Sequence, residues 1–382
     1  MPETICELHT ATVRAVLPEP IVFGDWVMKR REFVVVRLRA DSGAEGFAFT
    51  LSREGPVAAA IQQAVAHHYV GATFSSQADV AAAFYRCQGA NLGALSGGMG
   101  LRGLSIVDLA MHDLLARSEG ISIARYLGGE PRSMPATAII GYPPALMPPD
   151  AVREQVRGLR EDGWRRYKIP IALPLEYGRN RLLAAREEAG EDAWVGMDGA
   201  WIFRRVDDAV AFLDSVADAR LGWFEDVFPP GDAAIVAELR ARAGDIKIAM
   251  GDEQGGSYYP EALLQRESVD VVRIDLTCMG GITRARPMIE ACQRAGVEFS
   301  PNMFAHVHSQ VFGALGHDVP VEWGIPGTGV DQFADSLRQP VIRDGRMEPL
   351  PEEPGFGPLV NAPWIASEDF DDPDGMIRSL NA

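Results

Sequence analysis

Cysteine is scarce in this chain. Its 382 residues include four, Cys6, Cys87, Cys278 and Cys292, scattered and without a C-x-x-C pair. That excludes a disulfide framework and a cysteine-built zinc site, and it fits a reducing, cytosolic setting. Long apolar runs are missing as well. None approaches the roughly 18 residues a membrane span needs, and Met1-Pro2-Glu3-Thr4 does not open a basic-then-apolar signal. Positive charge is in deficit, 36 Lys and Arg against 53 Asp and Glu, for a formal net charge of −17. This argues against nucleic acid or an anionic membrane surface as a partner. A small acidic molecule stays compatible, because a metal and one or two basic side chains set the local field. A phosphate-cradling glycine loop is also lacking: Gly97-Gly98-Met99-Gly100 precedes a helical stretch and reads as a tight turn.

What is present is size and a spaced set of acids. The length fits about two or three domains, and 47% hydrophobic residues permit a sizeable core. Asp198 closes the run Trp194-Val195-Gly196-Met197, Glu225 follows Gly222-Trp223-Phe224, and Asp252 follows Ile248-Ala249-Met250-Gly251. The two intervals are 27 residues each, close to the roughly 30 of one strand-plus-helix unit. Acids at the same place in three consecutive units meet at the C-terminal mouth of a parallel barrel, where such enzymes keep their chemistry. Three converging carboxylates repel unless a hard cation neutralises them, and all-oxygen ligands suit Mg²⁺.

The pattern along the chain agrees. Residues 1–132 read as an α+β domain, with a β-rich run from Glu32 to Ala40, a turn at Asp41-Ser42-Gly43, a strand over 46–50 and helices over 56–69, 78–87 and 101–119. Candidate strands then fall at 136–141, 166–171, 194–199, 222–227, 247–252, 271–276, 297–301 and 321–325, alternating with amphipathic stretches. Eight such units imply a (β/α)8 barrel over 133–340. The tail, 341–382, returns to β and loop character and is expected to pack on the first domain, which serves as a cap.

Arg166-Tyr167-Lys168 lies on the second candidate strand. Residues two apart share a face, so Arg166 and Lys168 are expected to point together into the mouth. A lysine beside a guanidinium and a divalent cation suits a general base. With these residues the chain resembles the enolase superfamily, and within it the mandelate racemase-like enzymes. The resemblance runs through Leu101-Arg102-Gly103-Leu104-Ser105-Ile106-Val107-Asp108-Leu109-Ala110-Met111-His112-Asp113, Met197-Asp198-Gly199, Phe224-Glu225-Asp226, Gly251-Asp252-Glu253, Met279-Gly280-Gly281-Ile282-Thr283 and Pro354-Gly355-Phe356-Gly357.

The resemblance implies that Asp198, Glu225 and Asp252 ligate Mg²⁺ and that Lys168, the second lysine of a K-x-K, takes a proton. Arg166 stands in for the first lysine. Asp275 matches the aspartate of a His–Asp dyad, where other branches carry lysine. The dyad histidine is replaced by Asn302, which does not titrate, leaving His306 or His308 as substitutes. Glu322 matches an acid that hydrogen-bonds the substrate carboxylate or its enediolate. Trp26 and Trp201 are candidates to line the pocket, while His67 and His68 read as the solvated side of a helix and His112 as a packed helix residue.

The implied step is removal of the proton α to a carboxylate. With a single base, β-elimination of water from an acid sugar, giving a 2-keto-3-deoxy acid, is the preferred outcome. Racemisation or epimerisation, cycloisomerisation, and a metal-binding protein without catalysis are the alternatives. Lid stretches are expected at 18–26 and 47–55, and the resemblance implies a homo-oligomer, dimer or octamer.

Overall fold

A computed structural model describes residues 2–23, 26–251, 253, 256, 258–330, 339–357 and 370–371. The N-terminal part is an antiparallel sheet of β1 (Glu3–Phe23), β2 (Trp26–Ala40) and β3 (Glu45–Leu51), with β4 (Thr73–Phe74) on the outer side of β1. β1 was not anticipated. Its alternating buried residues Ala11, Val13, Ala15 and Leu17 mark one apolar face. Pro18 and Pro20 obscure it, and they fall where the β1–β2 register shifts, between Val16 and Ile21, the kind of irregularity that accommodates proline in a strand. Against this sheet lies the helix Gly98–Ser118, buried on all sides from Gly100 to Ala116. Gly97 caps its start in extended conformation, and the rest of the glycine run, from Gly98 to Gly100, opens the helix rather than forming a separate tight turn.

The second part alternates strand and helix. β5 (Met134–Ile139), β6 (Arg166–Pro170), β7 (Trp194–Asp198), β8 (Trp223–Glu225), β9 (Lys247–Met250), β10 (Val271–Ile274), β11 (Glu298–Pro301) and β12 (Val321–Gly324) all run parallel, in the spatial order β12-β5-β6-β7-β8-β9-β10-β11. The sheet curls until its outer strands approach, with Ser300 Oγ donating to the Pro320 carbonyl at 3.0 Å. Strand parity explains the packing. Tyr167, Ile169, Val195, Met197, Phe224, Ile248, Val272 and Ile274 face outward into the main core under the helices, whereas Trp223, Ala249 and Val271 form a small cluster on the inner face.

Two contacts join the parts. Over the C-terminal ends of the strands, Val13, Ile21, Phe33, Phe49 and Leu51 pack with Ile139, Tyr142, Met303, Phe304 and Val330, and burying side chains of this size contributes about 1.5–3 kcal/mol each. Lower down, Asp108 accepts from the Thr283 backbone N–H at 3.1 Å, and Gly280 N–H donates to Ser105 Oγ at 2.8 Å. Gly281 is required there, since its φ is +65° and a Cβ would sit 2.2 Å from Asp108 Oδ2. The tail opens as the hairpin β13 (Ile342–Arg343) and β14 (Arg346–Met347), with β14 antiparallel to β5. Phe356 N–H then reaches Asp113, and β15 (Phe370–Asp371) pairs with β1.

Candidate active site

Every strand of the curled sheet delivers alternate residues to its interior, and height along the strand decides which end each one serves. On β6 the inward set is Arg166, Lys168 and Pro170. The register places Pro170 beside Asp198 and Lys168 beside Gly196. Two residues are about 6.6 Å of strand, so Arg166 lies at the floor. There its guanidinium stacks 4.1 Å from the Trp194 ring and donates to Thr137 Oγ1 at 3.3 Å, in a cavity shared with Lys247 and Glu298 at the strand starts. The expectation that Arg166 and Lys168 both reach the mouth is therefore corrected. They share a face but not a level, and burial lowers the Arg166 pKa to about 10.

One layer up, four charged side chains meet inside the sheet. Lys168 Nζ lies 2.6 Å from Glu225 Oε1 and 2.8 Å from Glu322 Oε2. Arg273 on β10 lies 2.6 Å from Glu322 Oε1 and 3.4 Å from Glu225 Oε2, and donates to Ser300 Oγ at 2.9 Å. All four are buried, and in this layer, among the described residues, Lys168 and Arg273 each face both carboxylates. Burial pushes the Glu322 carboxyl up, but the charges of Arg273 and Lys168 outweigh it and hold it below its ordinary range. Lys168 also borders the mouth cavity. Paired with two carboxylates, its ammonium is placed to bind or polarise an anion. To accept a proton it must first give one up.

The mouth cavity is lined by Lys168, Asp198, Asp226, Glu253, Asn302, Tyr142 and Trp201 from the curled sheet and by Phe23, Met28, Arg31 and Arg53 from the N-terminal part. Asp198 accepts from the Ala200 N–H at 2.8 Å. Next to it on β8 the chain turns left-handed at Asp226, φ +45°. This brings Asp226 to the cavity while Glu225 faces the buried charge layer. Of the eleven non-glycine residues at positive φ among those described, eight belong to the loops around this cavity: Arg53, Glu54, Ala200, Trp201, Asp226, Glu253, Met303 and Phe304. Such concentration is characteristic of functional sites.

Arg53 grips Glu253 through Nε, at 2.8 Å, and Nη2. Burial pushes this carboxyl up, but Arg53, with Arg102 and Arg31 behind it, leaves it at about 2. Both parts of the fold that read as lids contribute, through Phe23 and Arg53. Trp26 opens β2, and its side chain, like Asp252, lies outside the described residues. Among the described residues no group of three His, Cys, Asp or Glu side chains is gathered as a ready metal cage.

Asp275 is fully buried below the mouth, where burial raises its carboxyl to about 6 against the pull of Arg102 and Thr277. Thr277 N–H and Oγ1–H both donate to its Oδ1. His308 Nε2 lies 3.7 Å from Asp275 Oδ1 but accepts the Leu276 N–H, while its Nδ1 bonds to the Met303 carbonyl. Burial lowers it to about 4, so it is a neutral ring satisfied by backbone. His306 stacks on Phe49 at 5.2 Å, and burial lowers it to about 3. Neither histidine lines the cavity. Asn302 does, as a neutral amide on the seventh strand's end. Sequence reading missed Arg273, Asp226, Arg31, Arg53 and Glu253. The one available signal was Arg273, a charge standing at inward parity within Val271-Val272-Arg273-Ile274.

The fold and this carboxylate-rimmed mouth define a class: an α/β protein with a curled parallel sheet, a separate N-terminal domain and a charged cavity at the strand ends. Comparison with known families narrows it. Residues 6–128 match the mandelate racemase / muconate lactonizing enzyme N-terminal domain, and residues 151–363 match the enolase C-terminal domain-like family. The chain belongs to the mandelate racemase-like enzymes of the enolase superfamily. It is 25% identical over 393 aligned positions to D-galactarolactone cycloisomerase of Agrobacterium fabrum, covering 97% of this chain and 100% of that protein. It is 27% identical over 372 positions to L-rhamnonate dehydratase of Saccharopolyspora erythraea, covering 92% and 90%. The structure of L-talarate dehydratase from Polaromonas sp. JS666, complexed with Mg and L-glucarate, superposes with a TM-score of 0.81 at 20% identity, over 95% of this chain and 96% of that one. No helix among the described residues is long and apolar enough to cross a membrane.

Proposed function

We propose that this chain is an acid-sugar dehydratase, removing the proton α to a carboxylate and then expelling a β-hydroxyl as water to leave a 2-keto-3-deoxy acid. The observation that carries this reading is the Lys168–Glu322 pair beneath a cavity rimmed by Asp198 and Asp226. An anion binder and a carboxylate-rich rim are what enediolate chemistry needs at one point. The donor set fits a hard cation, because every candidate ligand is a carboxylate, and Asp198 and Glu225 close adjacent strands. Asp198, Glu225 and Asp252 would hold Mg²⁺, with Asp226 facing the same cavity. The cation supplies neutralisation of the charge that develops on the carboxylate.

The chain's own residues do the rest. Glu322 holds Lys168 beneath the cavity, Lys168 is the proton acceptor once it has lost its own proton to solvent, and Asn302 hydrogen-bonds a substrate hydroxyl on the opposite face. The first domain, residues 1–132, closes over the barrel, 133–340, through Phe23, Met28, Arg31 and Arg53 and excludes water. The tail, 341–382, ties back to it. A small-molecule carboxylate is the partner, and a cytoplasmic homo-oligomer is the form we expect.

A second reading has its own support. D-galactarolactone cycloisomerase matches along its whole length, and a non-titrating Asn302 suits a reaction with no second base. The test is a screen of mono- and dicarboxylic sugar acids and their lactones with Mg²⁺, reading 2-keto acid as semicarbazone absorbance and lactone opening by NMR. Keto acid that disappears with EDTA supports dehydration. Ring rearrangement without dehydration of any open-chain acid favours the cycloisomerase. Absence of both, with α-proton exchange in D₂O also absent, overturns the catalytic reading.

A further inference from the structure

We propose that the floor of the curled sheet is a second binding site, separate from the mouth, and that it takes a small monocarboxylate with an apolar body on the guanidinium of Arg166. The cavity at the strand starts has a volume of about 380 Å³ and shares no lining residue with the mouth cavity. The buried layer of Lys168, Glu225, Arg273 and Glu322 lies between the two. Inward positions of a closed parallel sheet are ordinarily filled by apolar side chains, so a guanidinium beside open space at this end calls for a partner.

Arg166 is held but not satisfied. Its guanidinium sits 4.1 Å from the Trp194 ring, a cation–π contact that fixes its plane. Nε donates to Thr137 Oγ1 at 3.3 Å. Nη1 and Nη2 carry the remaining N–H donors, and neither has an acceptor among the described residues. Acids are near but committed. Glu298 lines the same cavity and its charge acts on Arg166, but it is paired with Lys247. Glu322 acts on Arg166 from the layer above and is paired with Lys168 and Arg273. Burial therefore outweighs both acids, which is why the Arg166 pKa falls to about 10.

The rest of the cavity selects the kind of anion. Lys247 and Glu298 offset each other, leaving the charge of Arg166. The walls are Trp194, Trp223, Val271, Phe299 and Pro320. A phosphate or sulfate would meet one cation and a surface of hydrocarbon. A carboxylate matches the guanidinium fork through two parallel bonds, and an attached ring or short chain covers the walls. The aromatic wall is built into the sequence: a Cβ at Gly196 or Gly222 would collide with the Trp194 indole. Lys247 and Glu298, with side chains 45% and 63% exposed, mark the rim where the cavity opens to solvent.

The test is calorimetric titration of the full chain with benzoate, benzamide and acetate, with Mg²⁺ and again with EDTA. Benzoate should bind saturably, with a dissociation constant of about 1 mM or tighter, and equally in both conditions because no mouth residue takes part. Benzamide lacks the charge and acetate lacks the body, so each should bind roughly tenfold or more weakly. Arg166→Met should weaken benzoate by a similar factor while keeping the unfolding midpoint, and Arg166→Lys should recover part of the loss. Benzoate binding that requires Mg²⁺, that survives Arg166→Met, or that benzamide or acetate equals overturns the proposal, as does the absence of saturable binding. Trp194→Phe decides the matter if Arg166→Met does not fold. It leaves the guanidinium in place and removes a reporting indole, so the benzoate-induced change in tryptophan emission should shrink while the heat of titration persists. An undiminished emission change puts the ligand elsewhere, and the floor site falls. None of these outcomes depends on turnover, so the dehydratase reading stands or falls separately.

Discussion

Lys168 and Arg273 share two carboxylates, and the sharing determines what each substitution should do. Removing one member of a buried ion network leaves a charge without compensation in a medium where that is costly, about 3–5 kcal/mol. Arg273→Met strips Glu225 and Glu322 of a cation that both share and should lower unfolding stability by roughly that amount in urea titrations. Lys168→Met has the same electrostatic defect but also removes the candidate proton acceptor. We expect it to retain divalent-cation binding while losing α-proton exchange and turnover together. An Arg273→Met protein as stable as the wild type would show that the layer is not acting as a network, and a Lys168→Met protein that still exchanges the α-proton would require another base. Neither distinction was legible in the sequence. Arg273 sits in an apolar run and looked like a strand residue, and Lys168 announced a base without revealing that Glu225 and Glu322 hold it.

The end of β8 is the element where sequence and structure diverge most usefully. Periodicity identified the strand and the acid that closes it, because Trp223, Phe224 and Glu225 alternate inward and outward as any strand must. It gave no reason to expect the left-handed turn at Asp226, so the adjacent carboxylate was passed over. Height was likewise hidden. Parity reports which face a residue takes, and Arg166 and Lys168 do share one, but the level within the sheet is set by the stagger between strands, which only the register with Asp198 and Gly196 reveals. The eight strands were legible because each is a short apolar run ended by a turn. β1 was not, because two prolines interrupt its pattern. The β8 end carries its own prediction. If Asp226 takes part in cation binding, Asp226→Asn should weaken Mn²⁺ affinity at least tenfold by calorimetry, and Glu225→Gln should do so only to the extent that Glu225 leaves Lys168. A Glu225→Gln protein that loses the cation beside an Asp226→Asn protein that keeps it would assign the site to the set read from spacing alone.

At the scale of the whole molecule, the two parts are joined away from the cavity by a buried acid, and pH should expose it. Asp108, on the central helix of the first domain, accepts from Thr283 of the second through its backbone N–H and hydroxyl. Burial raises its carboxyl to about 7 even against those bonds. His112, whose Nε2 lies 3.7 Å from Asp108 Oδ2, has no hydrogen-bond partner at either ring nitrogen among the described residues, and burial lowers it to about 3. The two shifts act in opposite directions. Asp108 is protonated in the folded state and ionised in the unfolded chain between about pH 4 and 7, so its stabilisation is complete below that window and is lost as pH rises through it. His112 is neutral when folded and protonated when unfolded between about pH 3 and 6.5, so its stabilisation is present above the window and lost as pH falls. Over most of the shared range one proton offsets the other, and this pair adds little slope to the stability curve. Asp108→Asn removes one side of the balance while keeping an acceptor for Thr283. The unfolding free energy of the variant, measured relative to the wild type in urea, should therefore climb with pH by about 1.4 kcal/mol per unit between pH 4.5 and 6.5. Curves that stay parallel across that range would mean that Asp108 is ionised in the folded protein, and that the joint between the domains holds a charge rather than a proton.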